Sequence, residues 1–383
     1  MGVLLLAVIY LSYISIGLPD SLLGAAWPSM QPVLGVPLSH AGYLSLIISC
    51  GTVLASLLSD RLICRFGTGA VAAGSVLLTA AALYGYSAAG SFAAMCLYAV
   101  PYGLGAGAVD AALNHYVAVH YAARHMNWLH CFWGIGAAAS PYIMSFCLRC
   151  GSGWQGGYRS VSIIQFVLTA MLFCSLPLWN HVSVSGDASE APAVHIPIPE
   201  LMKQHGVPQL VLLFFCYCAL ENTFGLWAGS YLVHVRGTMP ETAAQSASLF
   251  FLGITFGRLA GGFLSDRISC IRMVRGGLCG IALGIFLLLL PASQRTAFCG
   301  IFITGLGCAP VHPALIRGTA TRFGAERARS VIGLQTASAY LGTTIMPFLF
   351  GKLADFAGIR FLPVFLLLFL FLTAFLTKRE FFA

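Results

Sequence analysis

Apolar stretches of membrane-spanning length recur from one end of this chain to the other. About 20 residues at a rise of 1.5 Å each are enough to cross the hydrocarbon core of a bilayer as a helix. Of the 383 residues, 58% are hydrophobic and 8% charged, with a mean hydropathy of +0.86. A soluble domain carries roughly 25% charged residues, and no segment here is long and polar enough to be one. The pattern predicts an all-α integral membrane protein of about twelve transmembrane helices. The first six cores run Leu4 to Ala26, Ala41 to Leu58, Ala70 to Ala88, Phe92 to Val119, Trp128 to Leu148 and Ser160 to Leu178. The second six run Val207 to Val233, Ala243 to Leu264, Gly276 to Leu290, Ala297 to Ala320, Ser330 to Leu353 and Pro363 to Leu376. The first core has no basic leading region and spanning continues after it, so it reads as a helix that stays, not a cleaved signal.

The formal net charge of +8 is distributed as a membrane protein requires. With both termini cytoplasmic, thirteen Lys/Arg fall inside, from Arg61 and Arg65 to Lys378 and Arg379, and six fall outside. Arg258 lies within a span and reads as snorkelling to the interface. That excess inside satisfies the positive-inside rule and predicts a multi-pass protein of the plasma (inner) membrane with both ends in. It is no footprint for nucleic acid. Most of the thirteen cysteines lie within spans, where a thiol behaves as a small apolar side chain. Cys147 and Cys150 form a single CxxC, which without a second pair reads as helix-end packing. His115, His120, His125 and His130 recur every fifth residue, a spacing that shares no helical face, so no metal site and no cofactor are expected.

The stretch 181–206 holds three prolines and most of the local charge, and reads as a cytoplasmic linker between six-helix bundles at 1–180 and 207–383. The bundles repeat. Ser59-Asp60-Arg61 recurs as Ser265-Asp266-Arg267, and Gly51 meets Gly257. Gly103-Leu104-Gly105 recurs as Gly305-Leu306-Gly307, which aligns Asp110 with His312. Gly136 and Pro141 match Gly342 and Pro347; Asp20 and Gly24 match Glu221 and Gly225. The offsets are 201, 202 and 206 residues.

Asp20, Asp110, Glu221 and His312 therefore fall into matched pairs, each deep in an apolar span. A charged side chain at a span's centre costs about 2.5–3.5 kcal/mol on insertion scales, so such groups mark a solute or ion path. Removing a carboxyl from water favours its protonated form, which lets a cavity acid exchange a proton near neutral pH. Asp20 and Asp110 are the proton-coupling candidates. Glu221, Asn222 and Trp227 could hydrogen-bond and stack on a polar ring. His312 stands between Pro310 and Pro313, where missing donors favour a bent or broken helix, and such breaks free carbonyls that can line a cavity. His130 and Gln335 are further polar candidates for solute binding.

The run from Ser59 through Asp60, Arg61 and Arg65 to Gly67 resembles the loop between the second and third helices of the major facilitator superfamily. The resemblance covers the whole chain through helix count, linker and repeated Ser-Asp-Arg. It implies two pseudo-symmetric six-helix bundles whose first, fourth, seventh and tenth helices line a central cavity. It also implies a gating role for Asp60, Arg61, Arg65, Asp266 and Arg267. Pro19-Asp20-Ser21-Leu22-Leu23-Gly24, Gly105 to Asn114 and Met126 to Gly134 are similar to the fucose permease group with its MFSD4-like and YbjJ-like relatives. That narrower resemblance implies protonation at Asp20 and Asp110, with Asn114 beside the second acid. Here an Asp stands where the fucose transporters carry Glu, and His115 where they carry Pro.

The leading expectation is a monomeric, proton-coupled symporter of a small polar, sugar-like solute. The alternative is a proton-driven exporter of a drug or metabolite in the same fold. A receptor would need an output domain larger than the linker, and the buried polar groups form no nucleophile triad, so an enzyme is not expected.

Overall fold

The computed structural model describes residues 2–121, 123–179, 198–264 and 267–378. Helix is the only regular structure among them. The first span is broken in two, α1 (Gly2–Asp20) and α2 (Leu22–Leu34), with Ser21 as the joint. Spans two to six are α3 (His40–Phe66), α4 (Thr68–Ala88), α5 (Phe92–His120), α6 (Ala123–Arg149) and α7 (Gly153–Trp179). The linker's described end carries the single turn α8 (Ile198–Leu201), whose Leu201 packs with Val207, Leu210 and Val331. Spans seven to nine are α9 (Val207–Arg236), α10 (Pro240–Leu264) and α11 (Cys270–Leu289).

The tenth span is broken like the first. α12 (Gln294–Cys308) stops, Ala309 and Pro310 turn, and α13 (Val311–Ala357) resumes. Within α13 the backbone leaves the helix at Gly324, whose φ of 70° suits glycine. Its second limb is the eleventh span, and α14 (Leu362–Lys378) is the twelfth. Eleven of these segments are long and apolar enough to cross a membrane. The second limb of α13 is helical but more polar, carrying Gln335, Thr336, Ser338, Tyr340, Thr343 and Thr344.

The chain divides into two compact units, Met1–Ser185 with Ala228–Phe251, and Gly186–Trp227 with Leu252–Ala383. Inside each, the close helix contacts fall at equivalent registers. In the first unit Gly136 lies against the Ile14 carbonyl, and a Cβ there would sit 3.0 Å from Leu18 N. In the second, a Cβ on Gly342 would sit 2.5 Å from the Phe215 carbonyl and 3.2 Å from Ala219 N. Those pairs stand at the same offsets of 201 and 206 that align Asp20 with Glu221 and Pro141 with Pro347. Gly105 would place a Cβ 2.6 Å from Ser75 O and 3.1 Å from Thr79 N; Gly307 would place one 2.7 Å from Gly277 O and 2.6 Å from Ile281 N. Here all three helix positions share the offset of 202. Small residues let backbones approach where apolar side chains gain nothing over lipid.

Prolines in the spans release carbonyls, and neighbouring side chains take them. Pro19 has no N–H for Ser15 O, which instead accepts from Gln165 Nε2 at 2.6 Å. The Ser15 hydroxyl donates back to Gln165 Oε1, and Gln165 is fully buried. Pro141 likewise frees Ala137 O, which accepts from Ser21 Oγ at 2.6 Å. In hydrocarbon an unpaired carbonyl would cost several kcal/mol.

Candidate functional site

In the first unit the break after Asp20 sets the site. The Asp20 carboxylate, solvent-accessible although well inside its span, accepts from the Trp133 indole N–H at 2.7 Å. Gly17 allows that approach, since it lies against the Trp133 carbonyl with no room for a side chain. Ser21 holds the joint by donating to Ala137 O and sharing a 2.7 Å contact with Ser140 Oγ. On α5, Asp110 accepts from Asn114 Nδ2 at 2.9 Å, one helical turn on. The buried Tyr13 hydroxyl of α1 faces the same carboxyl and amide, just outside hydrogen-bond geometry. Asp20 and Asp110 are near enough to interact electrostatically, and Tyr102 is a further neighbour of Asp20. His130 is exposed on α6 and meets Tyr13 edge-on, ring centroids 6.1 Å apart.

In the second unit the centre is Glu221 on α9. The Tyr217 hydroxyl lies beside it and donates at 2.8 Å to Cys308 O, the last carbonyl before the tenth span breaks. Pro310 and Pro313 produce the break expected around His312, and the carbonyl it leaves is spent on Tyr217. His312 tilts its ring against Phe214 at 4.9 Å. Arg258 acts electrostatically on both Glu221 and His312. Arg258 itself is half-buried on α10.

Asn222 is exposed and turns its amide back to Cys218 O at 3.3 Å. Trp227 departs from the stacking role expected of it. It is fully buried, donates its N–H to Pro347 O at 2.9 Å and packs on Phe350. A ring so enclosed fixes α9 against the second limb of α13. Gln335 is also fully buried on that limb, one turn before Ser338, which donates to Val211 O at 2.5 Å. Both polar atoms of the Gln335 amide lack a partner among the described residues, so it is an uncompensated polar group of the kind that takes a polar ligand. Asp60, Arg61 and Arg65 are exposed at the end of α3, and Arg267 is exposed before α11. Asp266 lies outside the described residues. Cys147 and Cys150 are both free thiols.

Tyr13, Trp133, Gln165 and Tyr217 were not singled out by the sequence. Three of them partner groups more than 90 residues away, which leaves no local pattern. The repeat does carry one signal. Tyr13 matches Phe214 at the offset of Asp20 and Glu221, so the Tyr13–Asp110 contact and the Phe214–His312 contact are one position seen twice.

Two repeated helical units with ionisable groups at broken spans define a polytopic secondary transporter. Residues 9–292 and 210–381 match the model of the Major Facilitator Superfamily, and the chain belongs to that family. Bypass of stop codon protein 6 of Saccharomyces cerevisiae is 24% identical over 388 residues, covering 92% of this chain and 77% of that protein. An uncharacterised MFS-type transporter of Yersinia pestis is 25% identical over 346 residues, covering 88% and 86%. Among solved structures, a point mutant of the nucleoside transporter NupG superposes with a TM-score of 0.76 at 14% identity, covering 97% of each chain. A D-xylose-proton symporter does so with a TM-score of 0.73 at 12% identity, covering 98% and 97%. These likenesses show the fold.

Proposed function

We propose that the protein is a proton-coupled symporter of a small polar, sugar-like solute, working by alternating access and allied to the fucose permease group. One observation carries the reading: both membrane-embedded acids of the first unit are held by neutral donors. Asp20 is bonded by an indole N–H and Asp110 by an amide. A carboxylate paired with arginine is locked in its charged form. One held by neutral N–H groups can take up and release a proton without stranding a buried cation.

The second unit supplies groups suited to a polyhydroxylated solute. Glu221 accepts, Arg258 donates, and Asn222, His312 and Gln335 do both. The D-xylose specificity of one structural neighbour agrees in chemical class. The setting is the plasma membrane, with both termini cytoplasmic and the monomer as the working unit. Asp60, Arg61, Arg65, Asp266 and Arg267 gate the cytoplasmic side.

The test is uptake of radiolabelled L-fucose, D-xylose and D-glucose by proteoliposomes under an imposed proton gradient. Gradient-driven uptake should vanish in Asp110→Asn while sugar counterflow persists. Gradient-driven uptake surviving in Asp110→Asn would overturn the coupling role. Sugar silence with proton-driven efflux of amphiphilic cations would move the protein to the exporter class.

A further inference from the structure

Residues 228–251, the end of α9 and the start of α10, come from the second half of the repeat, yet they belong to the first compact unit. They lie at the membrane face away from the linker, since α9 begins at the linker and runs across. Three contacts fasten them there. A Cβ on Gly229 would sit 3.1 Å from Gly24 O of α2, so two backbones meet with no side chain between them. Ser248 Oγ donates to Ala138 O of α6 at 2.5 Å. The Arg149 guanidinium, at the end of α6, donates to Gln245 Oε1. Together they form a seal on that face of the unit.

One side chain joins the seal to the Asp20 site. Trp133 donates its indole N–H to Asp20 Oδ2 at 2.7 Å, and its ring meets Phe251 of α10 at 73°, centroids 6.3 Å apart. Phe251 is buried and packs in turn on Phe250 at 5.2 Å. One helical turn past Trp133, the successive carbonyls of Ala137 and Ala138 accept from Ser21, at the break in the first span, and from Ser248 of α10. The same stretch of α6 therefore holds both the joint beside the acid and the seal.

The repeat shows that helix packing does not demand this ring. At the offset of 206 that relates Gly136 to Gly342, Ala339 stands in the place of Trp133. Among the described residues, the titratable groups that face Asp20 are Asp110 and Tyr102, both from α5. From α6 it meets the indole, and behind the indole stands the phenyl ring of α10.

We infer that Trp133 is a positioning residue that ties the charge state of Asp20 to the seal at α10. The inference rests on Asp20 exchanging a proton, which belongs to the symport reading. A hydrogen bond to an ionised group is roughly twice as strong as one between neutral groups. With Asp20 ionised, the indole is held, its ring is fixed against Phe251, and the seal stays closed. When a proton binds the carboxylate, the bond to the indole weakens and Trp133 loses its fixed orientation. The Phe251 contact loosens, and the Ser248 bond beside it follows. Proton loading thus favours opening toward the side from which an importer collects its solute.

The test needs neither solute nor label. Hydrogen–deuterium exchange is measured on the whole chain in lipid nanodiscs, from alkaline to acid pH, with rates corrected for the intrinsic pH dependence of exchange. In the wild type, exchange in peptides covering residues 240–251 should rise by about fivefold on acidification, as a charged hydrogen bond becomes a neutral one. Asp20→Asn should hold the acid level at every pH. Trp133→Phe and Phe251→Leu should each abolish the pH step. Ser248→Ala should raise exchange at every pH and keep the step, because it weakens the seal without touching the link. Survival of the step in Trp133→Phe, in Phe251→Leu or in Asp20→Asn would overturn the link. A flat wild-type profile would overturn it too, and proton-driven sugar uptake in the same preparation then decides separately whether the symport reading stands. Thermal unfolding checks that each variant folds; should Trp133→Phe fail, Phe251→Leu leaves the Asp20 bond in place and decides alone.

Discussion

The Trp133 indole N–H donates to the Asp20 carboxylate over 2.7 Å, joining the fifth span, α6, to the break in the first. A hydrogen bond to a charged group contributes about 1.5–3 kcal/mol, and leaving the charge unpaired costs more than removing both partners. Trp133→Phe keeps most of the ring but strands Asp20; Asp20→Asn removes the charge. Reversible unfolding in mixed micelles should give a coupling energy of roughly 1–3 kcal/mol for the double-mutant cycle. The double variant should be closer to Asp20→Asn than to the sum of the single effects. Additive effects would show that the pair contributes nothing.

Gln165 tests the proline reading. Its amide occupies the Ser15 carbonyl that Pro19 leaves free. Gln165→Leu should destabilise by about 1–3 kcal/mol, the cost of an unsatisfied buried acceptor. Pro19→Ala restores a backbone N–H at that position, so Pro19→Ala with Gln165→Leu should recover part of the loss. Absence of recovery in thermal unfolding would mean that Gln165 acts by packing alone.

The repeat was readable because identical small residues recur at fixed offsets, and helix contacts at small residues are the same contacts. Gly136 on Ile14 and Gly342 on Phe215 follow from the register already. The break at His312 was readable because prolines act on their own backbone. Trp133 with Asp20 and Gln165 with Ser15 were not, since each joins positions 113 and 150 residues apart through side chains with no periodic signature. Trp227 misled because an aromatic beside an acid reads alike whether it faces a solute or, as here, the Pro347 carbonyl.

Glycine substitutions should sort by this geometry. Gly136→Val and Gly342→Val drive a side chain into the facing backbone, and overpacking of this kind costs typically about 1–3 kcal/mol or more. Both should lower the unfolding temperature and the monodisperse yield, to similar extents. Gly74→Ala and Gly276→Ala face open space and should be neutral or slightly stabilising through helix propensity. Loss of stability in Gly74→Ala comparable to that in Gly136→Val would show that backbone approach is not what these positions share between the units.

Arg258 separates the two units chemically. Its counterpart at the offset of Gly51 and Gly257 is Thr52, which bonds the Ile48 and Gly103 carbonyls. The first unit thus holds two acids among neutral donors, and the second an acid, a histidine and a guanidinium. Removing one member of an embedded ion pair strands its partner, typically at about 3–5 kcal/mol, whereas neutralising both is far milder. Arg258→Met should therefore be severely destabilising, and adding Glu221→Gln should restore much of the loss. If Arg258→Met unfolds at the wild-type temperature, the guanidinium is solvated at the interface after all and Glu221 carries its charge without it. Rescue by Glu221→Gln would instead establish that the arginine is held inside the second unit by that carboxylate.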